Sequence, residues 1–354
     1  MSTISSTVGM GNIAGVAIAI YMGGPGAIFW MWVSALLGMA TKFFEGTLAI
    51  MYRGRDENGE VQGGPMFVLT RGISPKHKPL AIFFCVFGLF GCLCVMQANQ
   101  LVEAFTTVVT QPMGIETTFA MKLGLGIFIG LLVGFVVVGG ISRISSIATK
   151  MVPTMVGLYF ILVFVVIVMN FDKLPGVFSE IVRSAFNFKA GFGALAGIAL
   201  VGARRAMYVN EAGVGTATLM HGSSKNNEPV REGLIAMMGP AIDSGFVCTL
   251  SAIPILMSGV WQNYTGGDIK GLTIALDAYE TLLPGVGQYF LMVVVTIFAF
   301  STMFSYSYYG TKCSEYLFGK KSLKWLKYFF KELLTHTNSI VFHCKDEIAC
   351  IIIY

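Results

Sequence analysis

Apolar residues in this chain run in long uninterrupted blocks, and the polar residues gather between the blocks. Blocks of roughly 20 residues have the length of an α-helix that crosses hydrocarbon. The pattern predicts such helices near 26–52, 80–108, 121–140, 151–170, 232–258 and 286–310, with a longer element over about 174–206. An opening element over about 4–21 is also apolar, but Gly9, Gly11 and Gly15 weaken it as a continuous helix. The prediction is an all-α polytopic membrane protein whose first span is broken.

A break in a membrane span leaves backbone N–H and C=O groups that only a ligand, a cavity or other protein groups can satisfy. A half-helix starting near Asn12 turns its N–H groups and positive dipole end into the gap, which suits an anionic group such as a carboxylate. The carbonyls on the other side, with Thr7 and Asn12, suit a small cation. The bland alternative is that these glycines only let helices approach closely. The long element over 174–206 carries its own interruption, Gly191-Phe192-Gly193-Ala194, and runs in the opposite direction. Two glycine-broken spans of opposite direction are the mark of an inverted-repeat secondary transporter.

Composition sharpens the class. Of 354 residues, 55% are hydrophobic and 12% charged, whereas soluble domains average roughly 25% charged. Basic residues alternate by loop: Arg53, Arg55, Arg71, Lys76, Lys78, Arg143, Lys150, Lys225, Arg231, Lys312 and the Lys320–Lys331 cluster fall on one side, against Lys122, Lys173, Arg183 and Lys270 on the other. By the positive-inside rule the first set is cytoplasmic. The first twenty residues hold no basic region and no cleavage motif of a signal peptide. Cysteines show no C-x-x-C pair and are expected as small buried apolar residues, with no metal beyond sodium and no cofactor implied. The basic and aromatic run from Lys320 to Lys331 fits the anionic cytoplasmic leaflet better than nucleic acid.

The run Gly23–Gly38, Gly-Gly-Pro-Gly-Ala-Ile-Phe-Trp-Met-Trp-Val-Ser-Ala-Leu-Leu-Gly, resembles the signature of the alanine or glycine:cation symporter family, the sodium:alanine symporters. Val8–Val16 is similar to that family's unwound first-repeat helix, Asn210-Glu211-Ala212-Gly213 to its Asn-Glu-Ala-Gly motif, and Ser307–Gly319 to the end of its eighth helix. The resemblance covers about residues 1–320. It implies a LeuT-type five-helix inverted repeat, here incomplete, with a first repeat over about 1–170 and a second from about 174. It also implies sodium-driven uptake of a small neutral amino acid, alanine or glycine, across a plasma membrane, with a bacterial inner membrane the expected location. Met10 stands where the family pattern has threonine, and Tyr306 where many members have tryptophan. Residues 321–354 diverge, and the chain reads as truncated at both ends.

Candidate roles follow. Gly9, Met10, Gly11, Asn12, Gln97, Phe192 and Tyr306 are expected to contact substrate; Thr7, Asn12, Ser301 and Thr302 are expected to hold the cation. Gly191 and Gly193 would form the wall opposite the first break. Against these stand helix–helix bonding for Gln97 and back-bonding to the helix for Ser301 and Thr302. Lys42 and Glu45 are expected to pair at i, i+3 near the cytoplasmic end, with Arg204, Arg205 and Glu211 at the inner end of the sixth helix. Asp243 is an intramembrane carboxylate without an evident structural task. Two other readings compete with transport. One is a transporter-derived fragment that no longer transports. The other is an intramembrane enzyme, for which His77, His221, His336 and His343 offer no ligand spacing. Partners are expected to be the amino acid, sodium and lipid, with no nucleic acid and no obligate protein partner.

Overall fold

The computed structural model describes residues 7–55, 61–138, 140–186, 192–264 and 271–319. The main helices among the described residues are α1 (Ala14–Gly23), α2 (Gly26–Met51), α3 (Lys78–Gly91), α4 (Val95–Phe105), α5 (Phe119–Val138), α6 (Gly140–Met169), α7 (Leu174–Ala185), α8 (Phe192–Asn210), α9 (Ala217–His221), α10 (Pro229–Ala236), α11 (Cys248–Ser258), α12 (Gly271–Leu282) and α13 (Gly287–Phe318). A two-residue antiparallel hairpin, β1 (Gly54–Arg55) and β2 (Val61–Gln62), joins α2 to the segment before α3. Six helical segments among the described residues are long and apolar enough to cross a membrane.

Helix α1 is the axis of the bundle. All residues from Ala14 to Ile20 are buried, although the helix has only ten residues. It packs on α8, α11 and α12, and Gly271 brings α12 so close that a Cβ there would sit 2.3 Å from the Ala14 carbonyl oxygen. Gly24 ends α1 at φ +66°, a left-handed conformation that favours glycine, and Pro25 pre-sets the first turn of α2. The Gly-Gly-Pro-Gly run is therefore a helix reversal. Small residues then hold α2 against α8: a Cβ at Gly202 would lie 2.5 Å from the Ala27 carbonyl oxygen.

Two predicted elements are divided. The segment over 80–108 splits into α3 and α4 at Cys94, whose φ of +55° is left-handed. The element over 174–206 is α7, an amphipathic helix lying against the start of α2, followed separately by α8. Gly191 lies outside the described residues, while Gly193 and Ala194 sit in the helical body of α8. The expected interruption at 191–194 is corrected in part: at 193–194 the chain is helical, and the described break in this span falls later, at 211–216. Helix α12 was not expected either. It packs its Leu272, Ile274, Ala275, Leu276, Ala278 and Tyr279 inward but is too short to read as a span.

Candidate functional site

The first break is local and hydrogen-bonded. Gly9 is extended (φ −154°, ψ −161°), and Met10–Asn12 form one 3-10 turn that leads into α1. Asn12 N donates to Gly9 O at 3.1 Å, Ile13 N donates to Met10 O at 3.1 Å, and Gly9 N donates to Asn12 Oδ1 at 2.9 Å. Asn12, fully buried, also points its Nδ2 at Cys248 Sγ at 3.8 Å. Its side chain therefore shapes the break. The turn is held on two sides: a Cβ at Gly9 would be 2.2 Å from Thr302 Oγ1, and one at Gly11 would be 3.2 Å from Tyr208 Cε1. The opening stretch thus meets α13 and the end of α8 at one level.

That end of α8 is where the second break lies. Glu211 is left-handed at φ +53°, and Gly213 and Gly215 follow at +86° and +91°. For a non-glycine residue such as Glu211 this conformation is strained, and strain of that kind gathers at functional sites. The loop's donors are answered by protein groups. Glu45 Oε1 on α2 accepts from Gly213 N at 3.0 Å and Gly215 N at 3.1 Å. The Glu211 carboxylate accepts from Tyr306 Oη at 2.8 Å and from Thr216 Oγ1 at 2.5 Å. Asn210 Oδ1 accepts from Ala212 N at 2.9 Å, and its Nδ2 donates to Ser244 Oγ at 3.1 Å. Lys42 Nζ lies 3.6 Å from Glu45 Oε2 in the predicted i, i+3 pair. Glu211 is buried in the middle of this network; the sequence pattern placed it at the inner helix end.

The remaining candidates divide. Ser301 and Thr302 are buried on α13, and Thr302 Oγ1 donates to its own helix at Phe298 O, 3.0 Å away, while lying against Gly9. Gln97 is buried on α4, which packs against α13. Thr7 and Met10 are buried at the break. Phe192 begins α8, whereas the part of α8 that meets the first break is Tyr208–Val209, at its other end. Gly193 is exposed with open space around it, so it is not a wall of the 9–12 turn. Glu45, Tyr208, Asn210 and Glu211 were not among the expected site residues; the Asn-Glu-Ala-Gly-Val-Gly run, with two glycines and a carboxylate at the end of an apolar block, signals Asn210 and Glu211, whereas nothing in it points to Tyr208 or to Glu45 as its partner.

A second set of contacts seals the loop side that the basic residues mark as cytoplasmic. Arg53 Nη1 donates to Ser224 O at 2.7 Å and Nη2 to Asn227 Oδ1 at 2.5 Å. Buried Lys312 Nζ donates to Gln62 Oε1 at 3.1 Å and to Glu315 Oε2 at 3.2 Å. Ser223 Oγ and Tyr308 Oη pair at 2.5 Å, and His221 Nδ1 with Glu232 Oε1 at 2.6 Å. The hairpin β1–β2 is thus tied both to α13 and to the loop between α9 and α10.

The model of the sodium:alanine symporter family matches residues 1–344. The chain belongs to this family. The sodium/alanine symporter AgcS of Methanococcus maripaludis is 38% identical over 331 residues, covering 92% of this chain and 71% of that protein. A Bacillus subtilis protein named as a putative sodium/proton-dependent alanine carrier, YrbD, is 35% identical, covering 91% of this chain and 67% of its own length. A probable sodium/glutamine symporter of the same organism, GlnT, is 33% identical over 91% of this chain and 65% of its own length. The crystal structure of MhsT in complex with L-phenylalanine aligns with a TM-score of 0.68 at 16% identity, covering 95% of this chain and 78% of that one. That likeness fixes the LeuT-type fold. The chain is a multi-pass membrane transporter of an amino-acid carrier family, and not an enzyme.

Proposed function

We propose that this protein is a sodium-coupled symporter of a small neutral amino acid, working by alternating access in the cell membrane of a bacterium. The observation that carries the reading is the meeting of two broken spans: Gly11 rests against Tyr208 at the end of α8, and Gly9 rests against Thr302. Main chain freed by the first break supplies N–H donors for a carboxylate at the helix N-terminal side and carbonyl oxygens for a cation. Met10, Gly11 and Asn12 take the amino-acid backbone. Met10, Gln97 and Tyr306 bound its side chain, and Phe192, at the far end of α8 from the first break, is left out of the pocket. Thr7, Asn12, Ser301 and Thr302 supply sodium with hard oxygen donors. The two breaks belong to two repeats, residues of about 1–170 and from about 174, with residues 321–354 a basic appendage.

The second break supports this division of labour. Its amides at Gly213 and Gly215 already have the Glu45 carboxylate as partner, so a substrate carboxylate is directed to the first break. The relatives' names include both alanine and glutamine, so the side-chain pocket decides the substrate; buried Met10 and the ring of Tyr306 favour a small one. Uptake of labelled alanine into proteoliposomes, driven by an inward sodium gradient, tests the proposal. Sodium-driven accumulation that competes with unlabelled glycine is the expected result. Equal uptake with a choline gradient would overturn it.

A further inference from the structure

One side chain of the second break reaches across to α13. Glu211 is 5% exposed and sits in the left-handed region at φ +53°, so the backbone sets the direction in which its carboxylate leaves the chain. Both carboxylate oxygens are taken by hydroxyls from different elements. Oε1 accepts from Tyr306 Oη on α13 at 2.8 Å, and Oε2 accepts from Thr216 Oγ1, at the other end of the same loop, at 2.5 Å. The Glu211 amide bonds back to Met207 O of α8 at 2.9 Å. Thr216 and the backbone therefore hold the carboxylate in place, and Tyr306 is the ring moored to it. A carboxylate accepts such bonds more strongly than a neutral oxygen does.

The position of Tyr306 gives this bond a consequence. Tyr306 follows Thr302 by four residues on α13, so the two side chains share one helix face, about 6 Å apart along the axis. Thr302 lies against Gly9, which puts the Tyr306 ring one turn from the first break. The ring also packs against both apolar clusters of the bundle, the main core around α1 and a smaller one around Tyr308, Tyr309 and Cys313. Its centroid is 5.7 Å from that of Tyr309, with the planes at 34°. A ring at the boundary of two clusters can lean toward either, and the bond from its tip to Glu211 selects one position. Tyr306 is one of this chain's departures from the family pattern, and it brings a hydroxyl that a tryptophan at that place lacks.

We propose that Glu211 is a positioning residue for substrate size: by holding Tyr306 Oη it fixes the ring that bounds the substrate side chain, and so sets the largest side chain the pocket accepts. The inference deepens the symport reading and rests on it, because the pocket role of Tyr306 belongs to that reading. Glu211 acts through the ring and not by contact with the amino acid. Selectivity then depends on the second break, although the substrate backbone is bound at the first. When the bond is lost the ring can lean away, and the pocket admits a bulkier side chain.

The test measures, in proteoliposomes under a sodium gradient, how much unlabelled valine halves the uptake of labelled alanine, relative to unlabelled alanine itself. The same ratio is read from the concentrations of valine and alanine that protect the purified full-length protein against thermal unfolding, which needs no transport. Wild type should require far more valine than alanine. In Tyr306→Phe, which removes only the hydroxyl, and in Glu211→Ala, which removes the acceptor, the ratio should fall on the order of tenfold. Glu211→Gln keeps an acceptor oxygen and should stay near the wild-type ratio. Where Glu211→Ala does not fold, Tyr306→Phe/Glu211→Gln takes its place, and its ratio should match that of Tyr306→Phe alone because both changes act on one bond. Ser223→Ala cuts a different hydroxyl tie to α13, at Tyr308, and should keep the wild-type ratio. Unchanged ratios in Tyr306→Phe and Glu211→Ala, with sodium-driven uptake intact, overturn the positioning and leave the symport reading standing. An equal fall in Ser223→Ala overturns it too, as a general loosening of α13. Alanine uptake by wild type that ignores sodium sinks the symport reading instead, while a relaxed ratio confined to the Glu211 and Tyr306 variants still supports the positioning.

Discussion

At the residue scale, two glycines in one motif have opposite tolerances. A Cβ at Gly9 would meet Thr302 Oγ1 at 2.2 Å, whereas one at Gly15 meets nothing within 4 Å. Gly9→Ala must push α13 away from the turn, a change of the overpacking kind that costs about 1–3 kcal/mol. Alanine uptake should fall on the order of tenfold or more in Gly9→Ala, and Gly15→Ala should stay near wild type; equal effects would detach the Gly9–Thr302 contact from transport. Glu45 makes a second residue-scale case. Truncation to alanine strands the Gly213 and Gly215 amides and leaves Lys42 buried at 3% exposure. The Gly213 amide is exposed and the Gly215 amide partly buried, so the main loss is the buried Lys42 ammonium left without its carboxylate. Glu45→Ala should therefore lower the unfolding temperature clearly, while Glu45→Gln, which keeps an acceptor oxygen but leaves the Lys42 charge unanswered, should lower it less. Thermal unfolding of Lys42→Met/Glu45→Gln beside the single variants measures the pair: the double change should cost less than the sum.

At the element scale, what the sequence made legible and what it hid have physical reasons. Long apolar blocks mark spans because a backbone in lipid must be helical, so α2 and α5 fall close to their predicted ranges, while α6 begins well before its predicted start and α13 runs well past its predicted end, through polar residues that apolarity does not mark. The first break was legible because Gly9 and Gly11 stand in an otherwise apolar stretch and the broken turn is held by its own residues. The second break was not, because a remote side chain holds it open. Glu45 comes from α2, far away in sequence, and no local pattern announces that partner. The divided segment at Cys94 and the separate α7 were hidden for a similar reason, since hydrophobicity carries through a kink unchanged. The inner ties belong to this scale too. Gln62, Lys312 and Glu315 form one buried cluster beside Cys313, which is 1% exposed. Lys312→Ala removes the cation that holds the hairpin to α13. Alkylation of Cys313 by a thiol reagent applied to inside-out vesicles should then speed up markedly, whereas Arg53→Ala, on the other side of the hairpin, should speed it less.

At the scale of the whole molecule, charge distribution and packing give one orientation, and each checks the other. Arg53, Lys225 and Lys312 come from separate loops or helix ends, yet the hairpin gathers their neighbourhoods on one face through Ser224, Asn227 and Gln62. Like-side loops that bind one another must lie on the same side of a bilayer. The face with Val260–Asn263, α12 and α7 lies at the other ends of α11, α13 and α2. The positive-inside rule makes the first face cytoplasmic, so the hairpin ties close the side of the bundle that carries the basic loops. Two exposed loop positions settle the direction: Lys225 on the hairpin face and Gln262 on the opposite one. In intact cells a membrane-impermeant maleimide should label Gln262→Cys but not Lys225→Cys, and breaking the cells should expose the second. The labelling uses a background in which Cys344 and Cys350 are replaced by serine; the cysteines among the described residues, Cys85, Cys92, Cys94, Cys248 and Cys313, are all buried. Labelling in the reverse pattern would turn the molecule over. It would also make the hairpin ties an outer gate, and the sodium gradient would then have to drive the amino acid in from the face those ties now close.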